Sequence, residues 1–285
     1  ETLLDMELSD KGVSDTAWTS AAEIGWHGML IPEQYEGSGN SMTDIAVVFE
    51  QLGSGPLSGP FLSSSVLGAS VILESGSDEQ KQSLLPGIAT GQTIIILALT
   101  EPEYGWESDS INMSAESRNN SFLLNGSKLF VHDAASADKL ICVVRTANST
   151  QSQLGISLLI VDASAPGVSI RSIPGFLGWN CEVTFRSVEV PHTALLGNIN
   201  QGWEPLQKSI ERTTPILCAY QVGGIQSVFD MTVDYSRSRK QFGQTIGRFQ
   251  RVQDHIINIV NDLDAARWTT YEALWKLDTG QPAEA

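Results

Sequence analysis

Among the residues able to do chemistry, the most pointed group is Arg237, Arg239 and Lys240, three cations within four residues of a chain whose formal net charge is −16. Against so acidic a background a local cationic cluster favours anion binding, although a solvated basic turn explains the same residues as cheaply. His132, with Asp133 beside it, offers a ring that titrates near neutral pH at the end of a strand-like segment. Glu211 is a carboxylate near the start of a helical segment, with Lys208 and Arg212 close by. The four histidines show no HExxH or similar pairing, so no metal site is expected. Cys142, Cys181 and Cys218 are far apart, without CxxC spacing and odd in number, and read as reduced thiols of a cytoplasmic protein.

The same acidity excludes nucleic acid and anionic membrane surfaces as partners. No run of 18 apolar residues is present, so no membrane insertion is expected. With 41% hydrophobic residues over 285 positions the chain can bury a sizeable core. It starts at Glu1 without methionine, and an N-terminal piece is expected to precede it.

The elements that position these residues fall into three zones. Residues 1–93 read as helical, with apolar positions at helical spacing in Ile45–Leu52 and Ser64–Leu73, and a further helix from Asp78 that stops at Leu85 before Pro86. Residues 94–200 read as strands: Ile94–Leu99, two strands joined by a hairpin at Asn125-Gly126 within Phe122–Val131, then Leu140–Arg145, Ile156–Val161, Val168–Ile173 and Glu182–Val190. Such spacing predicts a β-sandwich or barrel. Residues 201–285 are helical again, with one helix through Ile216–Val233 and another from about Val252 to Leu277, separated by a polar break, Ser238–Gly243. The class is α+β with segregated layers: an N-terminal all-α domain, a central β-domain and an incomplete C-terminal helical bundle. No GxGxxG follows a strand, which argues against a Rossmann site. Two long helices leave apolar faces uncovered, so more chain or another subunit is expected to cover them.

Four segments in order resemble the acyl-CoA dehydrogenase family: Ala98-Leu-Thr-Glu-Pro102; Leu124-Asn-Gly-Ser-Lys128 followed by Phe130-Val-His132; Val188-Glu-Val-Pro191 through Leu195-Leu-Gly197 and Gly202-Trp203; and Arg239-Lys-Gln-Phe-Gly243 followed by Phe249-Gln250. The helical start, with Gly25-Trp26 and Pro32–Gly37, fits as well. Each motif is short, and their order and separation over nearly the whole chain make the case. The resemblance implies FAD bound between the β-domain and the bundle and reaching a neighbouring subunit of a homo- or hetero-oligomer. It also implies an acyl-CoA substrate, electron-transfer flavoprotein as acceptor and a place in fatty acid metabolism.

The resemblance also assigns residues. Thr100 would bond the flavin ring through its hydroxyl beside backbone groups of Leu97 and Leu99, a job that suits the rigid amides of a strand edge; a plain strand ending in a turn is the competing reading. Gly105-Trp106-Glu107 stands where the family has Gly-Ser-Asp, so Trp106 covers or narrows the flavin or substrate pocket, or is a surface tryptophan. Phe130 would pack on the flavin. His132 replaces a Thr or Ser near flavin N5 and would tune potential or protonation, while Asp133 adds negative charge that disfavours an anionic reduced ring; a solvent-facing strand-end residue is the alternative. Arg239 would reach the FAD pyrophosphate of the adjacent subunit, where a guanidinium fork suits a diphosphate, with Phe242 near the adenine and Gln250 adding a bond.

In this family a carboxylate removes the α-proton of the thioester while a hydride leaves the β-carbon. The base is usually a glutamate expected beyond Ala285; at the alternative position on the first bundle helix stands Thr213, and a frequent arginine is Thr214 here. Glu211 would contact substrate or act as base, but two residues on a helix is about 200° of rotation, so it does not face where Thr213 faces. The preferred reading pairs it with Arg212 or Lys208 in solvent. Besides a dehydrogenase, the sequence fits a non-catalytic partner subunit of a heteromeric dehydrogenase, or a related flavin oxidase or monooxygenase.

Overall fold

A computed structural model describes residues 12–55, 59–103, 105–149, 151–173, 175 and 179–281. The chain forms two compact units. The first runs to Asn40, resumes after the second helix and ends at Thr213; the second holds that helix and the residues from Thr214 onward.

In the first unit, α1 (Asp15–Glu23) begins at Ser14, whose hydroxyl accepts from Ala17 N. (The next helix, α2, Met42–Ser54, belongs to the second unit.) A π-helical segment, Phe61–Gly68, runs into α3 (Ala69–Ser75). Then α4 (Asp78–Ala89) starts at a capping box between Ser77 and Gln80. Contrary to expectation, α4 continues through Pro86. The helical carbonyl that Pro86 cannot serve belongs to Gln82, which is exposed, so water can satisfy it.

The sheet has eight strands: β1 (Ile95–Ala98), β2 (Ser114–Ser117), β3 (Ser121–His132), β4 (Lys139–Arg145), β5 (Ile156–Asp162), β6 (Val168–Ile173), β7 (Asn180–Pro191) and β8 (Leu195–Leu196). Their order is β6-β7-β3-β2-β4-β5-β8, with β1 pairing in parallel to β4. The backbones of β5 and β7 approach within 8 Å although β3, β2 and β4 lie between them in that order, so the sheet curls back over its core. Phe122, Leu124, Leu140, Cys142, Leu159, Val183 and Phe185 are buried in that core.

The hairpin expected at Asn125-Gly126 is absent: β3 is one strand of 12 residues. It pairs antiparallel with β7 on one side and β2 on the other, and the register shift between Leu124 and Gly126 is a bulge whose extra residue lies on β7, between Phe185 and Val188, opposite the Asn-Gly pair. Asn125 Oδ1 accepts from Ser187 N at 2.8 Å, and Gly126 sits at φ 147° where a Cβ would press on Met113. Cross-strand pairing on both sides outweighs the local turn preference.

Helix α5 (Trp203–Ser238) is 36 residues long with Pro215 inside, and its first turns, to Thr213, belong to the first unit. In the second unit α5 continues beside α2 and α6 (Gln250–Asp278). The approach of α2 and α5 is glycine-dependent: a Cβ on Gly53 would overlap the Tyr220 carbonyl, and one on Gly223 the Glu50 carbonyl. Glu50 accepts from Arg267 Nε at 3.1 Å and from the Tyr271 hydroxyl at 2.8 Å, and Arg267 also donates to Gln226 at 2.8 Å. Asp278, the last residue of α6, accepts from Met42 N at 2.7 Å and Thr43 N at 3.0 Å and so caps α2. A third helix therefore covers part of the two long ones, while Val228, Met231 and Trp268 remain exposed.

Candidate functional site

The first group of candidate residues lies where β1 ends beside the middle of β3. The π-helical segment covers the start of β1: Ser64 Oγ accepts from Ile95 N at 3.0 Å, and a Cβ on Gly68 would overlap the Ile95 carbonyl. Beyond that point β1 has β4 as its strand partner, with Leu97 opposite Ile141. Leu97, Leu99 and Thr100 are half-buried. The Thr100 carbonyl accepts from Leu129 N at 2.8 Å, and among the described residues no partner engages its hydroxyl.

A buried ion pair fixes this strand end, and no role was expected for it. Lys128 is fully buried; its Nζ donates to the Leu99 carbonyl at 3.0 Å and to Glu101 Oε1 at 2.7 Å. Glu101, 3% exposed, also accepts from Asn112 N at 2.9 Å and Met113 N at 3.0 Å. Residues on both sides of Thr100 are thus held by one ammonium group, and the carboxylate is satisfied by charge and by backbone donors, as a buried charge requires. Burial pushes the Lys128 ammonium down from its ordinary pKa, and the attraction of Glu101 opposes this. The signal in the sequence was a single glutamate and a single lysine inside two otherwise uncharged strand-like stretches, 94–102 and 122–131.

Further along β3, Phe130 is 48% exposed with φ 51°, and His132 projects from the end of the strand. His132 Nδ1 lies 3.1 Å from Asp133 Oδ2, and the hydrogen bond it donates to Asp133 raises its pKa against an opposing contribution from burial. Asp133 is buried, with φ 59°; Ser63 Oγ donates to the same Oδ2 at 2.5 Å, and Asp133 N donates to the Trp179 carbonyl at 2.7 Å. Gly105 packs where a Cβ would overlap the Ser110 side chain, and Trp106 stands 75% exposed rather than packed on the strand end.

Glu211 is exposed on α5 and accepts from Gln207 Nε2 at 2.8 Å. The expected pairing with Lys208 or Arg212 is not formed, because both of those cations reach Glu74, at 3.1 and 3.5 Å. Glu74 points from α3 toward that face of α5, while Glu211 lies one step around the helix. Thr213 is buried and donates to the Ser209 carbonyl at 2.8 Å.

The second group lies between α5 and α6. The polar break is a small hairpin, β9 (Lys240–Gln241) with β10 (Gln244–Thr245), turning at Phe242-Gly243. Both turn residues have positive φ, 49° and 79°, the backbone of a hairpin turn that favours Gly and Asn at these sites. Phe242 is 93% exposed, its ring 6.2 Å edge-on from Phe249. Arg239 is tied down by its backbone, donating to the Tyr235 carbonyl at 2.8 Å and accepting from Ile246 N at 2.9 Å; among the described residues no acceptor engages its guanidinium. Gln250 opens α6. Arg239 and Phe242 therefore sit on one hairpin, and Phe249, the residue before Gln250, lies edge-on to Phe242. Among the described residues no cluster of His, Cys, Asp and Glu is arranged to hold a metal, and no helix is long and apolar enough to cross a membrane.

Comparison with known proteins agrees with this layout. The acyl-CoA dehydrogenase N-terminal domain matches residues 4–92, the middle domain 96–188 and the C-terminal domain 200–285. The L-prolyl-(peptidyl-carrier protein) dehydrogenase of Serratia sp. (strain ATCC 39006) is 32% identical over 286 residues, covering 98% of this chain and 74% of that protein. A solved FAD complex of PigA superposes with a TM-score of 0.90 at 29% identity, over 99% of this chain and 76% of that one. The prolyl acyl carrier protein oxidase AnaB does so with a TM-score of 0.87 at 26% identity, over 95% and 74%. Matched in all three domains and along nearly its whole length, the chain belongs to the acyl-CoA dehydrogenase family.

Proposed function

We propose that this chain is an FAD-dependent dehydrogenase of acyl thioesters, acting as an oligomer and passing its electrons to an electron-transfer flavoprotein. The observation that carries the reading is the strand end at Thr100, where an unengaged hydroxyl is held rigid by the Lys128–Glu101 pair. Preorganised donors at a fixed edge are what a planar heterocycle needs for binding in one orientation. FAD, when bound, supplies the hydride acceptor. Within this reading Leu97, Leu99 and Thr100 hold the ring edge, Phe130 packs on it and His132 faces it, while Arg239, Phe242 and Gln250 serve the diphosphate and adenine of a neighbouring copy's cofactor. Gly105 and Trp106 flank the entrance. Glu211, solvated and bonded to Gln207, is not the base in this reading. The division into residues 1–93, 94–200 and 201–285 follows the same reading.

The test is FAD retention. Purified chain is expected to be yellow, and Arg239→Ala to lose flavin absorbance on desalting; full retention by that variant removes the assigned arm. Anaerobic mixing with a panel of acyl-CoAs, with flavin bleaching as the readout, identifies the substrate. A second reading has a specific motive, because two of the similar proteins are named for prolyl groups on carrier proteins. Under it a prolyl thioester on a carrier protein bleaches the flavin and acyl-CoAs do not.

A further inference from the structure

His132 is held in an unusual way for an exposed ring. One nitrogen is turned inward, 3.1 Å from a buried carboxylate, although the side chain is 57% exposed. That carboxylate is itself fixed twice: Ser63, from the π-helical segment, donates to the same oxygen, and the backbone N–H of Asp133 donates to Trp179. Asp133 also occupies a left-handed backbone conformation, φ 59°. An ionised carboxylate has no proton to give, so the hydrogen in this contact belongs to the ring. The Nδ1–H is donated inward and Nε2 is left as the outward group.

We propose that Asp133 and Ser63 are positioning residues that turn His132 into a one-proton switch facing the flavin, with Nε2 a donor when the ring is charged and an acceptor when it is neutral. The inference deepens the proposed function and rests on its siting of the flavin at the Thr100–His132 edge. A threonine or serine, which the family commonly has at this position, can donate a hydrogen bond but cannot carry a net charge. A charged Nε2 beside the flavin ring counters the negative charge that arrives with electrons, and release of its proton withdraws that help. The raised pKa of His132 is consistent with the geometry. The charged group against the ring is Asp133; opposite His132 β7 contributes Asn180, and the adjacent Cys181, paired with Val131, is buried, which pushes the pKa of its thiol up. Asp133 therefore does more than add negative charge near the cofactor: paired with the imidazolium, it leaves the local charge near zero and fixes where the proton sits.

Histidine 15N spectra of the purified chain test the positioning, before and after FAD is added. The expected result is a neutral His132 present as the Nδ1–H tautomer, the minor form of a free imidazole, with a titration midpoint above that of free histidine. Asp133→Asn is expected to bring the midpoint down toward the free value. Ser63→Ala, which removes a single hydroxyl, is expected to shift the neutral ring toward the Nε2–H tautomer, and it decides the matter if Asp133→Asn fails to fold. A wild-type ring in the Nε2–H form overturns the inference, as does an unmoved midpoint in folded Asp133→Asn. The flavin midpoint potential against pH tests the siting separately: a break is expected at the His132 midpoint and is expected to vanish in His132→Gln. A correct tautomer with no such break overturns the siting of the flavin and the switch with it, while leaving the Asp133–His132 contact in place.

Discussion

Replacing Lys128 with methionine probes the device that holds Thr100. Methionine keeps the length and the apolar stem and removes the charge. Glu101 then loses its 2.7 Å partner and keeps only the Asn112 and Met113 N–H groups. Removing one member of a buried ion pair typically costs about 3–5 kcal/mol, and the two surviving donors place Lys128→Met near the low end, about 3 kcal/mol. Glu101→Leu is expected to cost at least as much. Lysine can shed its proton, but the two N–H groups would be left unpaired at about 1–3 kcal/mol each. At about 2–4 °C per kcal/mol for 150–250 residues, Lys128→Met should lower Tm by roughly 6–12 °C, as read by circular dichroism. Because the ammonium binds the Leu99 carbonyl and Glu101 on either side of Thr100, the variant should also retain less FAD after desalting. A Tm within about 2 °C of wild type, with FAD fully retained, would refute the idea that this pair organises the strand end.

Gly223→Ala should lower the unfolding free energy read from denaturant titration by about 1–3 kcal/mol, because its Cβ would overlap the Glu50 carbonyl; Gly224→Ala, whose Cβ would lie 3.5 Å from the Gly53 carbonyl, is the tolerated control. Phe242→Gly should leave Tm nearly unchanged, since about 1–2 kcal/mol of left-handed strain is relieved while glycine costs about 0.5–1 kcal/mol, yet FAD retention should fall; retention equal to wild type removes Phe242 from the cofactor site. His27 is buried between Trp18 and Phe61, and burial pushes its pKa down against the Trp18 carbonyl bond. The unfolded ring therefore takes a proton the folded one refuses, so this group costs stability as pH falls below about 6.5. His132 has the opposite sign: its raised pKa adds stability below about 6.5 that is lost as pH rises through the folded value. Melting from pH 7 to 5 should thus show a steeper fall in Tm for His132→Gln than for wild type, and parallel curves would contradict it.

The strands with continuous apolar runs, β4 and β5, were legible because burial on both faces leaves little ambiguity. The β2 strand was not: Ser114–Ser117 is polar and mostly exposed, and pairing with β3 rather than its own composition makes it a strand. The Asn125-Gly126 hairpin failed for the same reason, a local preference overridden by partners about 60 residues away. Arg239, Phe242 and Gln250 were grouped by the family resemblance; the residues themselves showed only the cationic cluster Arg237, Arg239 and Lys240. The Lys128–Glu101 pair was missed because strand alternation gives no sign that a lysine is internal until its partner is placed. Ser63 was missed because it lies 70 residues from Asp133, just before a segment, Ser64–Leu73, whose helical spacing advertised only a core face.

Phe130 connects these findings. A regular strand that buries Lys128 would also bury Phe130 and His132 and expose Val131, since faces alternate at every residue. The register shift between Lys128 and Val131 breaks that alternation: Lys128 pairs with Val183 and Val131 with Cys181, so one residue is extra. Phe130 takes up the irregularity at φ 51°, a conformation costly for a bulky side chain, of order 1–3 kcal/mol. In return Lys128 and Val131 are both buried while Phe130 and His132 both face out. The strain thus lets one strand carry the internal ammonium that fixes Thr100 and, on its open side, the aromatic and the imidazole assigned to the flavin. A straight β3 could supply the clamp or the open edge but not both, so under the proposed function the bulge serves the site as well as the scaffold.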